Sequence, residues 1–517
     1  MNETRRESGD WLPFAIARMP EARVVAILTL SGLLIRLYLS ATSFCISGDG
    51  MSFIWIAMDY GASNAGKVLA GVFPPAYPWT IAQMHRAIPD WEAAGNLVST
   101  VTGTATIPLL YALMREVFKR REIAIGSAGL AAFHPAMANY SANVRTEAGF
   151  VCLMAGSLWL TTLAIRRSRV WLLGAGGAFA GLGYLYRSEA IGFPLLIAPF
   201  LVSGAWLWRQ WSFKSAWVFA ATYTTCFLLV ASPYLILQHS RTGSWTLSGE
   251  LNFAILDDIE AATNPRSAAQ AQSLGGAPHL LAPLLADPLG YLRHSGGELI
   301  RSFRYFELAA GALPFGLLLV GLWKRGWNLF ANWPEALLGA ITLFYFVALA
   351  AIYTGPRFMF HIFPWTIGWT MVGLEAISIR LAALDWRVFR ALPACTPALI
   401  LVMVMLPETL WPIGYDMRGF RYAARDLASR DPSPKTIIAS DRRAAFYADA
   451  GFVLLPAAPP QHDGCKWIGE QSAATYLMLS HRDEKGWGDM RQEPCVAFIR
   501  RYPGTGARYY DLFAIRR

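Results

Sequence analysis

The sequence predicts a polytopic α-helical membrane protein with about eleven transmembrane helices and a small external α/β domain at its C-terminal end. Three observations carry that expectation. Of 517 residues, 55% are hydrophobic and 15% charged, with a mean hydropathy of +0.34, whereas ordinary soluble chains carry about a quarter charged residues. Apolar runs of spanning length recur along most of the chain. Lys and Arg cluster in every second loop between those runs.

The runs fall near 24–40, 93–114, 123–141, 147–165, 170–187, 189–208, 214–238, 306–323, 335–353, 358–377 and 392–411. Residues 1–23 are polar and show no cleavage site after the first run, as expected of a cytoplasmic arm leading into an uncleaved helix. Arg5-Arg6, Arg115 to Arg121, Arg166 to Arg169, Arg209 to Lys214, Lys324-Arg325 and Arg380 to Arg390 all land on one side, which the positive-inside rule makes cytoplasmic. The net charge of +10 is then an orienting charge, and no nucleic-acid partner is expected. Residues 24–411 form the expected membrane domain, with external loops at 41–92 and 239–305. An odd number of spans places 412–517 outside. There, TIIAS at 436–440, ATYLMLS at 474–480 and CVAFI at 495–499 read as strands between polar and Gly/Pro-containing segments. Cys152, Cys226 and Cys395 lie in apolar runs as small core residues. Cys465 and Cys495 lie in the tail, where an oxidising compartment would allow a disulfide.

The stretch Phe44 to Tyr77 carries Asp49, Asp59 and Lys67 and ends at Pro74-Pro75. It has the length and amphipathic character of two helices lying on a membrane surface. It reads as the floor of an external active site with Asp49 as the central carboxylate. Other ionisable residues mark external ends of spans: Arg145 and Glu147 before the fourth, Arg187 and Glu189 between the fifth and sixth, Arg357 before the tenth. A charge at mid-bilayer costs roughly 2.5–3.5 kcal/mol on insertion scales, so such groups gather at edges or wet cavities. A carboxylate can deprotonate a hydroxyl, and guanidinium groups hold phosphate and the charge that grows on it. The combination suits transfer chemistry on a phosphate-bearing substrate. Each residue has a structural alternative as well. Asp49 can be a helix N-cap, and the Arg/Glu couples can be ion pairs at helix ends. Arg36 can snorkel or pair, and Lys67 can meet a headgroup. His85, His134, His239 and His361 lack metal-ligand spacing.

With these residues in place, the chain resembles the GT-C glycosyltransferases, particularly the family 39 group of protein O-mannosyltransferases and the lipid A aminoarabinose transferase. Asp49 looks like the family's catalytic aspartate, and FPPAYPW at 73–79 resembles its "PPLY" segment. HPAMANYSANVRTEAGF at 134–150 is similar to the region carrying the second acid, here Glu147. GLGYLYRSEAIGFPLL at 181–196, PYLILQHSRTGSWTLSG at 233–249 and RFMFHIFP at 357–364 resemble three further family stretches. The resemblance implies transfer of a sugar from a polyprenyl-phosphate donor to a lipid, glycan or protein acceptor, on the outer face of the cytoplasmic membrane and among its lipids. Asp49 would be the general base. Arg187, Arg357, Arg145, Arg241 and Lys67 would serve the donor phosphate. Glu147 and Glu189, with Tyr77, would orient the sugar or the arginines. Two positions depart from the pattern: Gly50 stands where many relatives have a second acid, so the motif does not support a divalent metal, and Phe73 stands where the aminoarabinose transferase has Lys. The competing reading is a multi-pass flippase or transporter of lipid-linked sugars without covalent chemistry. A lipid-phosphate phosphatase is a third, although no nucleophilic His or Cys motif accompanies it.

Overall fold

The computed structural model describes residues 18–62, 73–243, 245, 288–352, 355–383, 396–459 and 463–516. It divides into two compact units, Met1–Leu37 with Ile56–Leu410 and Tyr38–Trp55 with Trp411–Arg517.

The helices run in order α1 (Glu21–Thr42), α2 (Gly48–Gly61), α3 (Ala76–His85), α4 (Trp91–Phe118), α5 (Arg121–Phe133), α6 (Pro135–Ser141), α7 (Glu147–Arg167), α8 (Val170–Tyr186), α9 (Gly192–Leu207) and α10 (Phe213–Thr242). After residues outside the described set come α11 (Pro288–Ala310), α12 (Ala312–Arg325), α13 (Trp333–Ile352), α14 (Phe363–Ala383) and α15 (Thr396–Thr409). The protein is a polytopic helical membrane protein. Among the described residues six helices are long and apolar enough to cross a bilayer, seven if the bent pair α11–α12 is one span. The remaining apolar runs are helical too, but shorter (α8, α15) or interrupted (α5/α6, and α14 behind the turn Pro356–Met359).

Two packing devices hold this unit together. Where α12 meets α14 the backbones touch. A Cβ on Gly321 would lie 1.9 Å from the Trp369 carbonyl oxygen, and one on Gly373 would lie 1.9 Å from that of Leu317. Lipid supplies no hydrophobic drive between helices, so close backbone approach through small residues is what makes such a contact favourable. The second device repairs a broken helix. Pro135 interrupts α5/α6, which leaves carbonyls at the end of α5 without helical donors. The buried guanidinium of Arg36 donates to the carbonyls of Ala131 (3.0 Å) and Gly32 (3.0 Å), with longer contacts to Ala132 and Met137. Thr409 donates to the Phe133 carbonyl at 2.7 Å. Of the two readings of Arg36, pairing with its surroundings is the observed one.

α11 begins well before the apolar run expected at 306. It is amphipathic, with Leu289, Leu292, Ile300 and Phe303 exposed and Glu298 and Ser302 buried. It meets α12 at 113°, turning at Gly311, whose φ of +77° an L side chain rarely adopts.

The second unit contains α16 (Arg418–Arg430), α17 (Arg443–Ala448), α18 (Gly464–Glu470) and a five-stranded sheet ordered β2-β1-β3-β5-β4. The strands are β1 (Thr436–Ala439), β2 (Gly451–Leu454), β3 (Tyr476–Ser480), β4 (Val496–Pro503) and β5 (Tyr509–Ile515). β2, β1 and β3 are parallel, and β5 runs antiparallel to both β3 and β4. Ile438, Ile468, Leu477, Leu479, Trp487 and Phe513 form its core. A Cys465–Cys495 disulfide ties α18 to the start of β4. Residues 38–55 belong to this unit through named bonds. Phe44 N donates to the Ile413 carbonyl (2.8 Å), Ile46 N to Tyr447 Oη (2.7 Å), Arg421 Nη1 to the Ser43 carbonyl (2.8 Å) and Arg443 Nη1 to the Ile46 carbonyl (3.1 Å).

Candidate active site

Three breaks in the helical backbone bring charged side chains together. α7 begins at Glu147, where a carboxylate in the first turn is favoured by the helix dipole. α8 stops at Arg187, whose extended backbone leads into the 3-10 turn Ser188–Ile191 carrying Glu189. Gly355 and Pro356 start the single turn that carries Arg357, and proline suits a first helical position because its missing N–H would have no partner there.

Glu147 is fully buried. Its Oε1 accepts from Arg357 Nε and lies 3.8 Å from Arg187 Nη1. Arg187, also buried, donates from Nε to Glu189 Oε1 at 3.0 Å, again from Nη2, and from Nη1 to Thr146 Oγ1 at 3.0 Å. The Tyr345 hydroxyl donates to the Glu189 carbonyl at 2.6 Å. Arg145 stacks over the Tyr140 ring at 4.6 Å and forms no ion pair among the described residues. The cluster therefore holds one more guanidinium than carboxylate.

The partners that are missing matter as much. Glu147 Oε2, Glu189 Oε2, Arg145 Nε and His361 Nε2 are all buried without a hydrogen-bond partner among the described residues. An unsatisfied buried polar group costs about 1–3 kcal/mol, more when charged. Chemically, the two carboxylate oxygens can accept from O–H or N–H donors, and Arg145 can donate to an anionic oxygen. His361 lacks metal-ligand spacing and carries no other local sequence signal, because its partners lie far away along the chain. It packs against Phe150 at 4.8 Å and interacts electrostatically with both glutamates. Thr146 and Tyr345 gave no sequence signal either, because each acts through a contact distant along the chain.

Other expected residues stand as follows. Tyr77 is fully buried, its hydroxyl 2.7 Å from Ser99 Oγ, which in turn donates to the Arg145 carbonyl at 3.0 Å. Tyr77 thus clamps α3 to α4 and steadies the backbone at Arg145. Asp49 lies half-buried in the first turn of α2, in the unit that contains the sheet. Ser47 Oγ accepts from Gly50 N at 3.0 Å, so Ser47 is the residue that caps this helix. In the same unit, Arg443 donates to the Ile46 carbonyl and is chelated by Asp441. Burial works against its charge, but the hydrogen bonds it donates to Asp441 outweigh that and hold the guanidinium above its ordinary range. Lys67 and the Arg241 side chain lie outside the described residues. Among the described residues no group of three or more His, Cys, Asp or Glu could hold a metal ion.

Solved structures share this architecture. ArnT from Cupriavidus metallidurans bound to undecaprenyl phosphate matches with TM-score 0.58 at 14% identity, over 94% of this chain and 97% of that one. Its apo state matches with TM-score 0.59 at 13% identity, over 95% and 98%. The chain shares the GT-C fold of these structures. The Archaeoglobus fulgidus oligosaccharyltransferase also shares this GT-C architecture, with TM-score 0.55 at 12% identity over 88% of this chain and 67% of that one. Residues 73–236 match the family model described as dolichyl-phosphate-mannose-protein mannosyltransferase. That segment includes Tyr77, Arg145, Glu147, Arg187 and Glu189. No curated protein matches the chain.

Proposed function

We propose that this GT-C protein transfers a sugar from a polyprenyl-phosphate-linked donor to a lipid, glycan or protein acceptor, on the non-cytoplasmic side of the cytoplasmic membrane. The observation that carries the reading is the unsaturated cluster around Glu147. Among the described residues it has a surplus guanidinium for a phosphate and two buried carboxylate oxygens with no donor, and a hydroxyl-rich sugar phosphate offers both complements. The match to a mannosyltransferase family over residues 73–236 supports the same class.

In this scheme the acceptor hydroxyl oxygen attacks the anomeric carbon. The bond from that carbon to the phosphate oxygen breaks, and its electron pair stays on the departing polyprenyl phosphate. The acceptor's proton passes to the Asp49 carboxylate. Arg145, Arg187 and Arg357, with Arg241 and Lys67 as further candidates, neutralise the leaving phosphate; removing one such preorganised donor typically costs about 10²–10³ in rate. Glu147 and Glu189 fix the arginines and take hydrogen bonds from the sugar through their unpaired oxygens. The positive-inside pattern supports the external side, because the basic clusters and this cluster lie at opposite ends of the same helices. The test is transfer from a synthetic polyprenyl-phosphate sugar by purified wild type and Asp49→Asn. A folded Asp49→Asn protein that transfers at the wild-type rate removes Asp49 from the mechanism. Donor moved across vesicles with no new glycosidic bond removes the enzyme reading altogether.

A further inference from the structure

The sheet unit has its own cavity, and it sits where an open α/β sheet favours a ligand. β1 and β3 are adjacent and parallel, yet the chain leaves them in opposite directions, from β1 through α17 to β2 and from β3 toward β5 and β4. Ligands of such sheets bind beyond the carboxyl ends of the strands at this divergence. The cavity there has a volume of about 250 Å³ and is lined by Ser440 and Asp441 after β1 and by Ser480 to Asp483 after β3. That is just below the roughly 300–1,000 Å³ of pockets for drug-sized ligands, so it suits one small ring.

Its chemistry is balanced rather than anionic or cationic. Three aspartates and three arginines line it, two of them already paired as Arg443–Asp441 and Arg508–Asp416. Asp483 Oδ2 accepts from Ser480 N (2.7 Å), Ser480 Oγ (2.7 Å) and Ser440 Oγ (3.0 Å), which fixes the carboxylate while nothing described donates to Oδ1. The exposed Arg482 guanidinium has no described acceptor, and His481 Nδ1 is buried without a partner. Phe420 and Tyr510 supply aromatic surface. Fixed donors and acceptors beside an aromatic wall, with no net charge, complement a ring that carries hydroxyls on its rim and C–H groups on its faces.

We propose that this cavity binds a single sugar residue through Asp483, Arg482 and His481. Calling that sugar part of the acceptor rests on the transfer reading; the binding itself does not. Arg443 connects the cavity to the first loop, because it lines the cavity and donates to the carbonyl of Ile46, three residues before Asp49.

The experiment is saturation-transfer NMR on the full-length protein in detergent, with methyl glycosides of mannose, glucose, galactose and glucosamine as probes and inorganic phosphate as competitor. At least one glycoside is expected to bind, insensitive to phosphate. Arg482→Ala, His481→Ala and the isosteric Asp483→Asn each weaken it at least tenfold, while Glu147→Gln leaves it intact. No binding, binding that survives all three substitutions, or displacement by phosphate overturns the proposal. Glycoside binding by a protein that transfers nothing sustains this site and counts against the transferase reading, so the two fail separately.

Discussion

Two buried acid–base clusters of the membrane unit, one around Glu335 and one around Glu147, differ in how completely their oxygens are paired. Around Glu335 every oxygen is occupied. Oε1 accepts from Arg325 Nη2 and from Asn332 Nδ2 (2.8 Å), and Oε2 accepts from Arg325 Nε (2.9 Å) and Trp369 Nε1 (3.2 Å). Around Glu147, among the described residues, the carboxylates keep unpaired buried oxygens and Arg145 forms no direct ion pair. Burying charge costs several kcal/mol per ion, offset only when hydrogen bonds satisfy the remaining lone pairs. The saturated cluster is a brace between α12, α13 and α14. The cluster around Glu147 leaves two carboxylate oxygens unpaired among the described residues, which is the feature the proposed function rests on.

Breaking the pair of clusters separately sharpens the distinction. Glu147→Gln is expected to lower transfer about 10³-fold, because it loosens two arginines at once, while the melting temperature in detergent moves little. A comparable loss of stability with normal turnover per folded molecule would make Glu147 a brace as well. Glu335→Ala should do the reverse and strip partners from Arg325, Asn332 and Trp369. A loss of about 3 kcal/mol in stability, toward the lower end of the cost of breaking a buried pair, is expected in a thermal or denaturant melt, with specific activity of the folded fraction unchanged. Arg145→Gln, at a side chain stacked on Tyr140 with no direct ion pair among the described residues, should raise KM for the polyprenyl-phosphate donor about tenfold, equivalent to about 1.4 kcal/mol, without altering stability. The smallest effect belongs to Glu116→Gln. Its contact with Arg166 is 3.8 Å long and partly exposed, so a change below about 0.5 kcal/mol is expected in the same melt.

Much of the fold was readable in advance for a simple reason. Hydropathy is a local property, and each expected apolar run is mostly helical where it is described, with breaks such as those at His134 and Gly311. The limits are instructive too. α11 escaped because its apolar residues occupy one face, which lowers the average that a spanning window measures. β1, β3 and β4 matched their β-type runs, whereas β2 is only four residues long and β5 carries Asp511 in its middle, paired there with Arg501 at 2.7 Å. Arg36 could be read as a charge inside a span, but its four carbonyl partners come from its own turn and from the α5/α6 break about a hundred residues away.

The sequence by itself determined which segments enter the bilayer, where the chain breaks to leave it, and which charged residues stand at those breaks. Apolar length, proline and basic clusters act locally, and so they are legible one segment at a time. Only the tertiary structure decided that Glu147, Arg187, Glu189 and Arg357 share one buried cluster, that Tyr77 is a clamp, and that residues 38–55 belong with the C-terminal sheet. Whether a buried polar atom has a partner depends on groups brought together from distant parts of the chain. No single stretch of sequence carries that information.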